Sequence, residues 1–169
     1  MALFSETADV SVRPAVAADD AAITRVQVAA WRATHAQTLG DEVVDLLDVE
    51  RMRASWHEAI TRPPGRGFGV LVACDRAEVV GFAAVTPGQL LSLEVVPGHR
   101  RGGHGSRLLS AAVDRLRQDG ADDVATWVLD GDDAREQFLS GAGLGPDGTQ
   151  RTLAAGPREV VERRWSAAI

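Results

Sequence analysis

Between Leu93 and Arg107 the chain reads Leu-Glu-Val-Val-Pro-Gly-His-Arg-Arg-Gly-Gly-His-Gly-Ser-Arg, an apolar run that passes through a glycine-rich turn into helical spacing. That order suits an anion. The first turn of a helix offers main-chain N–H groups with no carbonyl partner and a partial positive charge, worth about 0.3 to 2 kcal/mol towards a negative group. Glycine lets a phosphate approach the main chain with no Cβ in between. Arg100 and Arg101 add guanidinium forks, whose charge-assisted hydrogen bonds are stronger than neutral ones. The chemistry implied is the binding of a diphosphate. Two other phosphate loops fail on the letters. A Walker loop requires Lys, and the sequence has none. A dinucleotide fingerprint requires a third glycine where Leu108 stands after Gly103 and Gly105.

The elements that must position this loop follow from periodicity and from breakers. Residues 1–9 are polar and aperiodic and read as a flexible terminus, and a single folded domain is expected over residues 10–169. Val10 to Arg13 alternates as a strand stopped by Pro14, and Asp19 and Asp20 suit the start of a helix with Ile23, Val26 and Ala30 on one face. A second helix, capped by Asp48, carries Val49, Met52, Trp56 and Ile60 and stops at Pro63-Pro64-Gly65. Val70 to Ala73 and Val79 to Val85 form a hairpin, and Leu90 to Val96 a further strand. The spacing predicts a helix over Ser106 to Asp119, a strand over Val124 to Leu129 and a helix over Asp132 to Ser140. A glycine-rich exit over Gly141 to Gly148 and one or two closing strands, the last over Val160 to Trp165, complete the order. The order implies an α/β layer fold around one mixed sheet.

Composition narrows the function. At 169 residues with 45% hydrophobic and 25% charged residues the chain has globular proportions. A net charge of -6 disfavours a nucleic-acid partner, which requires clustered cations. No apolar run reaches the ~20 residues that span a bilayer, so no membrane partner is expected. With no leader-like start and one cysteine, the expectation is a cytoplasmic protein. Cys74 reads as small buried filler, and the four histidines have no metal-ligand spacing, so no metal site is expected. The chain also lacks Asn and Tyr.

Arg100-x-x-Gly103-x-Gly105 after Val95-Val96-Pro97 resembles motif A of the GNAT superfamily of N-acetyltransferases, and the element order is similar to that fold over about residues 10 to 169. A second match is Trp127-Val128-Leu129-Asp130-Gly131-Asp132 followed by Phe138-Leu139-Ser140-Gly141-Ala142-Gly143-Leu144, where many members read W-V-L-x-x-N and F-Y-x-x-x-G-F. The resemblance implies a mixed, mostly antiparallel sheet of six or seven strands flanked by about four helices. It implies acetyl-CoA as co-substrate, held along its pantetheine by Leu93, Glu94 and Val95. The diphosphate falls to Arg100, Arg101, Gly102, Gly103, His104, Gly105 and Ser106, with Asp132, Arg135 and Phe138 completing the cofactor site. The implied reaction is direct attack by a primary amine, on a small molecule or a protein, within a ternary complex.

Departures from the family pattern leave the proton chemistry open. The position of the usual tyrosine acid is Leu139, and the position of the usual glutamate base is Gln89, which cannot titrate. Glu94 and His35 remain as catalytic candidates, and Trp31, His35 and Gln89 as acceptor-pocket candidates. His57, His99 and His104 read as surface or anion-facing. A member of a different class, an acyl-CoA-binding sensor or partner module without turnover, stays open on the same residues. Self-association into a homodimer is in keeping with the family.

Overall fold

The computed structural model describes residues 10–169, so the flexible terminus expected over residues 1–9 lies outside the described residues. The strands are β1 (Val10–Pro14), β2 (Gly69–Asp75), β3 (Glu78–Thr86), β4 (Gln89–Val95), β5 (Asp123–Leu129), β6 (Gly145–Ala155) and β7 (Arg158–Ala168). The helices are α1 (Asp20–Thr34), α2 (Ala36–Leu39), α3 (Asp41–Asp45), α4 (Val49–Thr61), α5 (His104–Gln118) and α6 (Asp133–Gly141). One seven-stranded sheet runs β1-β2-β3-β4-β5-β7-β6, antiparallel at every junction but β4–β5, as the fold expectation required. Among the described residues, no helix is long and apolar enough to cross a membrane.

Each face of the sheet buries its own core. On one face the α1 stripe of Ile23 and Val26 meets Val72, Cys74, Val79 and Phe82, and Trp56 of α4 closes edge-to-face on Phe82 at 5.0 Å. On the other, Leu108, Leu109, Ala112 and Leu116 of α5 cover Ala83, Leu93 and Val95, joined by Leu139 of α6. Burying each such side chain stabilises by about 1.5–3 kcal/mol, so the amphipathic stripes decide where the helices lie. Strand register alternates the two faces. Leu93 and Val95 face α5, while Glu94, opposite Phe82, points to the α1 side.

Three local expectations are corrected. α5 begins at His104, two residues before the expected Ser106, because Gly103 at φ +81° takes the left-handed turn that starts it. The glycine-rich exit is interrupted by β6 from Gly145 onward, a strand almost wholly exposed and therefore without an apolar alternation. Asp19 does not cap α1: its carboxylate accepts from the Val16 amide at 2.8 Å and binds the Arg13 guanidinium at 2.7 Å. Asp48 does cap α4, accepting from the Arg51 amide at 2.9 Å.

The sheet opens beside β4. Ala84 pairs with Ser92 and Val85 with Leu90, leaving Leu91 as an extra, bulged residue. β4 and β5 share one register pair, Gln89 with Ala125. Beyond that pair the two parallel strands diverge, and the β5-side edge of β4 is left for something other than β5.

Candidate active site

A cleft of about 430 Å³ lies at the diverging ends of β4 and β5. Leu93, Glu94 and Val95 form one wall, and the turn from Arg100 to Ser106 forms the floor. Asp132, Ala134, Arg135, Gln137 and Phe138, at the start of α6, form the opposite wall, and Thr34 of α1 closes the mouth.

The floor is an arc of donors. The first amide of α5 with a carbonyl partner is that of Arg107, which donates to Gly103 O at 3.1 Å. Among the described residues, the amides of positions 101–106 donate to no backbone carbonyl and no side chain. Arg101 at φ +66° and Gly103 at φ +81° are both left-handed. Chain segments with such residues make anion-binding nests. For Arg101, a residue with a Cβ, that conformation costs about 1–2 kcal/mol. The 15-residue α5 adds its N-terminal partial charge to the same place. Gly105 also faces the cleft, and a Cβ there would sit 3.6 Å from the Phe138 ring. A diphosphate therefore fits the floor both in charge and in space.

The sides are held by polar contacts. Asp132 caps α6 by accepting from the Arg135 amide at 3.0 Å, which fixes Arg135 and Phe138 in its first turns. Arg135 donates to Leu93 O at 2.6 Å and to Glu94 Oε2 at 3.1 Å. Arg100 crosses the mouth, donating to Thr34 Oγ1 at 2.9 Å and to Val95 O at 3.4 Å. Glu94 is only 7% exposed. Its ion pair with Arg135 is thus largely desolvated, and removing one partner would strand a buried charge.

His35 follows the last turn of α1, its amide bonded to Trp31 O at 2.8 Å and its ring 6.3 Å edge-on from that of Trp31. Burial pushes its pKa below the ordinary 6.5, opposed by the charges of Glu94 and Asp132 and reinforced by Arg135 and Arg100. The imidazole is therefore neutral at pH 7 and within the electrostatic reach of the cleft residues. Trp31 is half-buried, and neither ring lines the cleft.

Other expected site residues are not gathered here. Gln89 is exposed at the opposite end of β4, at the turn from β3, and does not reach the cleft. Leu139 is 1% exposed and packed in the α5-side core, facing away from it. His104 contributes only main chain, because its ring is buried and packs edge-on to His99 at 6.0 Å. Burial lowers its pKa as well. His99 is not anion-facing either and contacts Asp75 at 3.3 Å, while His57 on α4 pairs with Asp20 at 3.0 Å. Gly102 belongs to the arc without lining the cleft. Thr34 was not expected. The sequence signal for it is its place one residue before His35, at the end of the α1 stripe.

Known proteins match this chain in family and in fold. The acetyltransferase (GNAT) family model matches residues 28–143. No curated protein matches the sequence. Among solved structures, the PaiA N-acetyltransferase of Thermoplasma acidophilum in complex with coenzyme A superposes with a TM-score of 0.81 at 16% identity, covering 95% of this chain and 99% of that one. YncA, a putative acetyltransferase from Salmonella typhimurium with acetyl-CoA, gives 0.68 at 21% identity over 95% and 94%. The ribosomal-protein-alanine N-acetyltransferase of Brucella melitensis gives 0.70 at 22% over 94% and 99%. At these identities the likenesses speak for the fold alone.

Proposed function

The chain belongs to the acetyltransferase (GNAT) family, and from that premise we propose that it transfers an acetyl group from acetyl-CoA to a primary amine. The observation that carries this reading is the arc of unpartnered amides at positions 101–106 on the floor of a cleft that opens along a free strand edge. In this reading the arc and Arg101 hold the diphosphate. The edge of β4 from Leu93 to Val95 takes the amides of the pantetheine as a further strand would. Phe138 and Gly105 line its path.

The amine nitrogen attacks the thioester carbonyl carbon, forming the C–N bond as the C–S bond breaks. The nitrogen gives up one proton and the sulfur takes one. An amine that arrives protonated must lose a further proton first, and in this reading the acceptor is the Glu94 carboxylate, which lines the cleft, with the neutral His35 imidazole, outside the cleft lining, as the second candidate. With Leu139 buried in the core and no tyrosine in the chain, the leaving sulfur draws its proton from water. Holding donor and acceptor together supplies most of the rate, since positioning alone is worth about 7–11 kcal/mol in well-aligned cases.

Leu139 and Gln89 favour a second reading, a module that binds acyl-CoA without turnover, because neither supplies the usual acid or base. Thiol release from acetyl-CoA across a panel of small amines and peptides separates the two. Release with any acceptor supports the enzyme, and CoA binding with no release across the panel supports the module. The double variant Arg100→Ala/Gly103→Val is expected to abolish acetyl-CoA binding by calorimetry with the fold retained. Unchanged affinity refutes both readings.

A further inference from the structure

Two main-chain carbonyls on one edge of β4 are capped by arginines from elsewhere in the chain. Leu93 O accepts from Arg135 Nη1 at 2.6 Å, and Val95 O from Arg100 Nε at 3.4 Å. Residues two apart in a strand direct their carbonyls to the same edge, and this is the edge that β5 leaves after the Gln89–Ala125 pair. An open edge accepts any extended chain with N–H groups to offer. The two caps differ in what else they do. Arg100 is exposed and its second contact is a hydroxyl, whereas Arg135 is mostly buried and its second contact is the Glu94 carboxylate.

The geometry of the cleft argues against Arg135 as a ligand for the cofactor's phosphates. Both of its terminal nitrogens already donate at the strand, one to Leu93 O and one to Glu94, while the unpartnered amides are those of positions 101–106. A pantetheine arm carries amides and no anion, so it offers a guanidinium nothing to match the Glu94 charge. A carbonyl oxygen has a second lone pair. The guanidinium nevertheless stands in the cleft directly before the edge, where a chain bonding to Leu93 would have to lie.

Resting on the acetyl-CoA reading above, we propose that Arg135 is a positioning residue that competes with the cofactor's amide chain for the Leu93 carbonyl, so that loading of acetyl-CoA displaces it and separates it from Glu94. The buried carboxylate then loses its cation and is free to take the proton from an acceptor ammonium. The base is thereby uncovered only once the acyl donor is seated.

Calorimetry with two probes on the full chain tests this. CoA carries both diphosphate and pantetheine, and ADP carries a diphosphate with no pantetheine. Arg135→Ala is expected to bind CoA at least about three- to ten-fold more tightly than the wild type, the worth of the Leu93 hydrogen bond alone, since the variant has neither that bond nor the Glu94 ion pair to break, with ADP affinity unchanged. CoA binding that is unchanged or weaker in the variant overturns the proposal. Because Arg135→Ala strands a buried carboxylate, Arg135→Met/Glu94→Gln is measured beside it, with circular dichroism to verify folding, and the same tightening is expected. If the wild type binds neither CoA nor ADP, it is the acetyl-CoA reading itself that falls.

Discussion

Gly81 is where the packing of the fold and the shape of the cleft meet. It lies opposite Val95 in the β3–β4 register, and a Cβ built on it would sit 2.9 Å from Glu94 O, 3.1 Å from Leu108 Cδ1 and 3.1 Å from Val95 Cγ2. The nearest of these is backbone and cannot turn away, so Gly81→Ala must push β4 or α5. Overpacking of this kind costs about 1–3 kcal/mol. Removing a glycine from the unfolded chain returns only about 0.4–1 kcal/mol, so the clash dominates. The net cost is about 0.6–2 kcal/mol, so at about 2–4 °C per kcal/mol for a domain of this size the Tm should fall by about 1–8 °C in scanning calorimetry. The displaced segment is the cleft wall, so CoA affinity should fall several-fold as well. Ile23→Val is the control for stability alone: it costs about 0.5–1.5 kcal/mol, in the α1-side core, and should leave CoA affinity intact. Gly98, with nothing within 4 Å of its would-be Cβ, should accept alanine without loss. A Tm for Gly81→Ala within 1 °C of the wild type, measured to about that precision, refutes the reasoning.

Arg101→Gly should raise or preserve the Tm, by relieving the left-handed strain at φ +66°, while weakening CoA binding several-fold through loss of the guanidinium; a fall in Tm contradicts this. His35 and His104 both have pKa values lowered by burial, so the unfolded chain binds more protons than the native one below 6.5. Their contribution to stability is whole above pH 6.5 and is lost as pH falls through the lowered values. Tm should therefore decline from pH 7 towards pH 5, and His104→Gln should flatten that decline; superimposable curves would remove the histidines as its cause. Asp19, held low chiefly by the Arg13 hydrogen bond, acts only below its ordinary 3.8 and lies outside that window. The acetylation rate should rise with pH towards the amine's own pKa, with no falling limb from a tyrosine acid near ~10, and a steep alkaline decline would count against water as the proton source.

Much of the cleft was legible because local rules govern it. Glycines mark left-handed turns, helix starts leave amides unpaired, and apolar periodicity tells α5 from β4, so the unpartnered amides of residues 101–106 follow from the sequence pattern. β6 was not legible because a strand exposed on both faces carries no alternating pattern. The locations of the Gln89 and Leu139 side chains were not legible for a different reason. Matching them to a family pattern assigns a role to a position, whereas the bulge at Leu91 and the burial of Leu139 decide where those side chains are. Arg135 is a partner of Leu93 across 42 residues, and Glu94 across 41. No spacing rule reaches that far. His104 has the same lesson in reverse, since a residue inside the glycine-rich turn has its ring buried in the protein and only its amide left unpartnered.

The central claim concerns main-chain N–H groups, and they can be observed one by one. In ¹⁵N–¹H correlation spectra of the labelled chain titrated with CoA, the amides of positions 101–106 should show the largest shifts, and ADP should reproduce those shifts while leaving Leu93 to Val95 largely unmoved. Shifts on CoA addition that fall elsewhere and spare this arc would contradict the account.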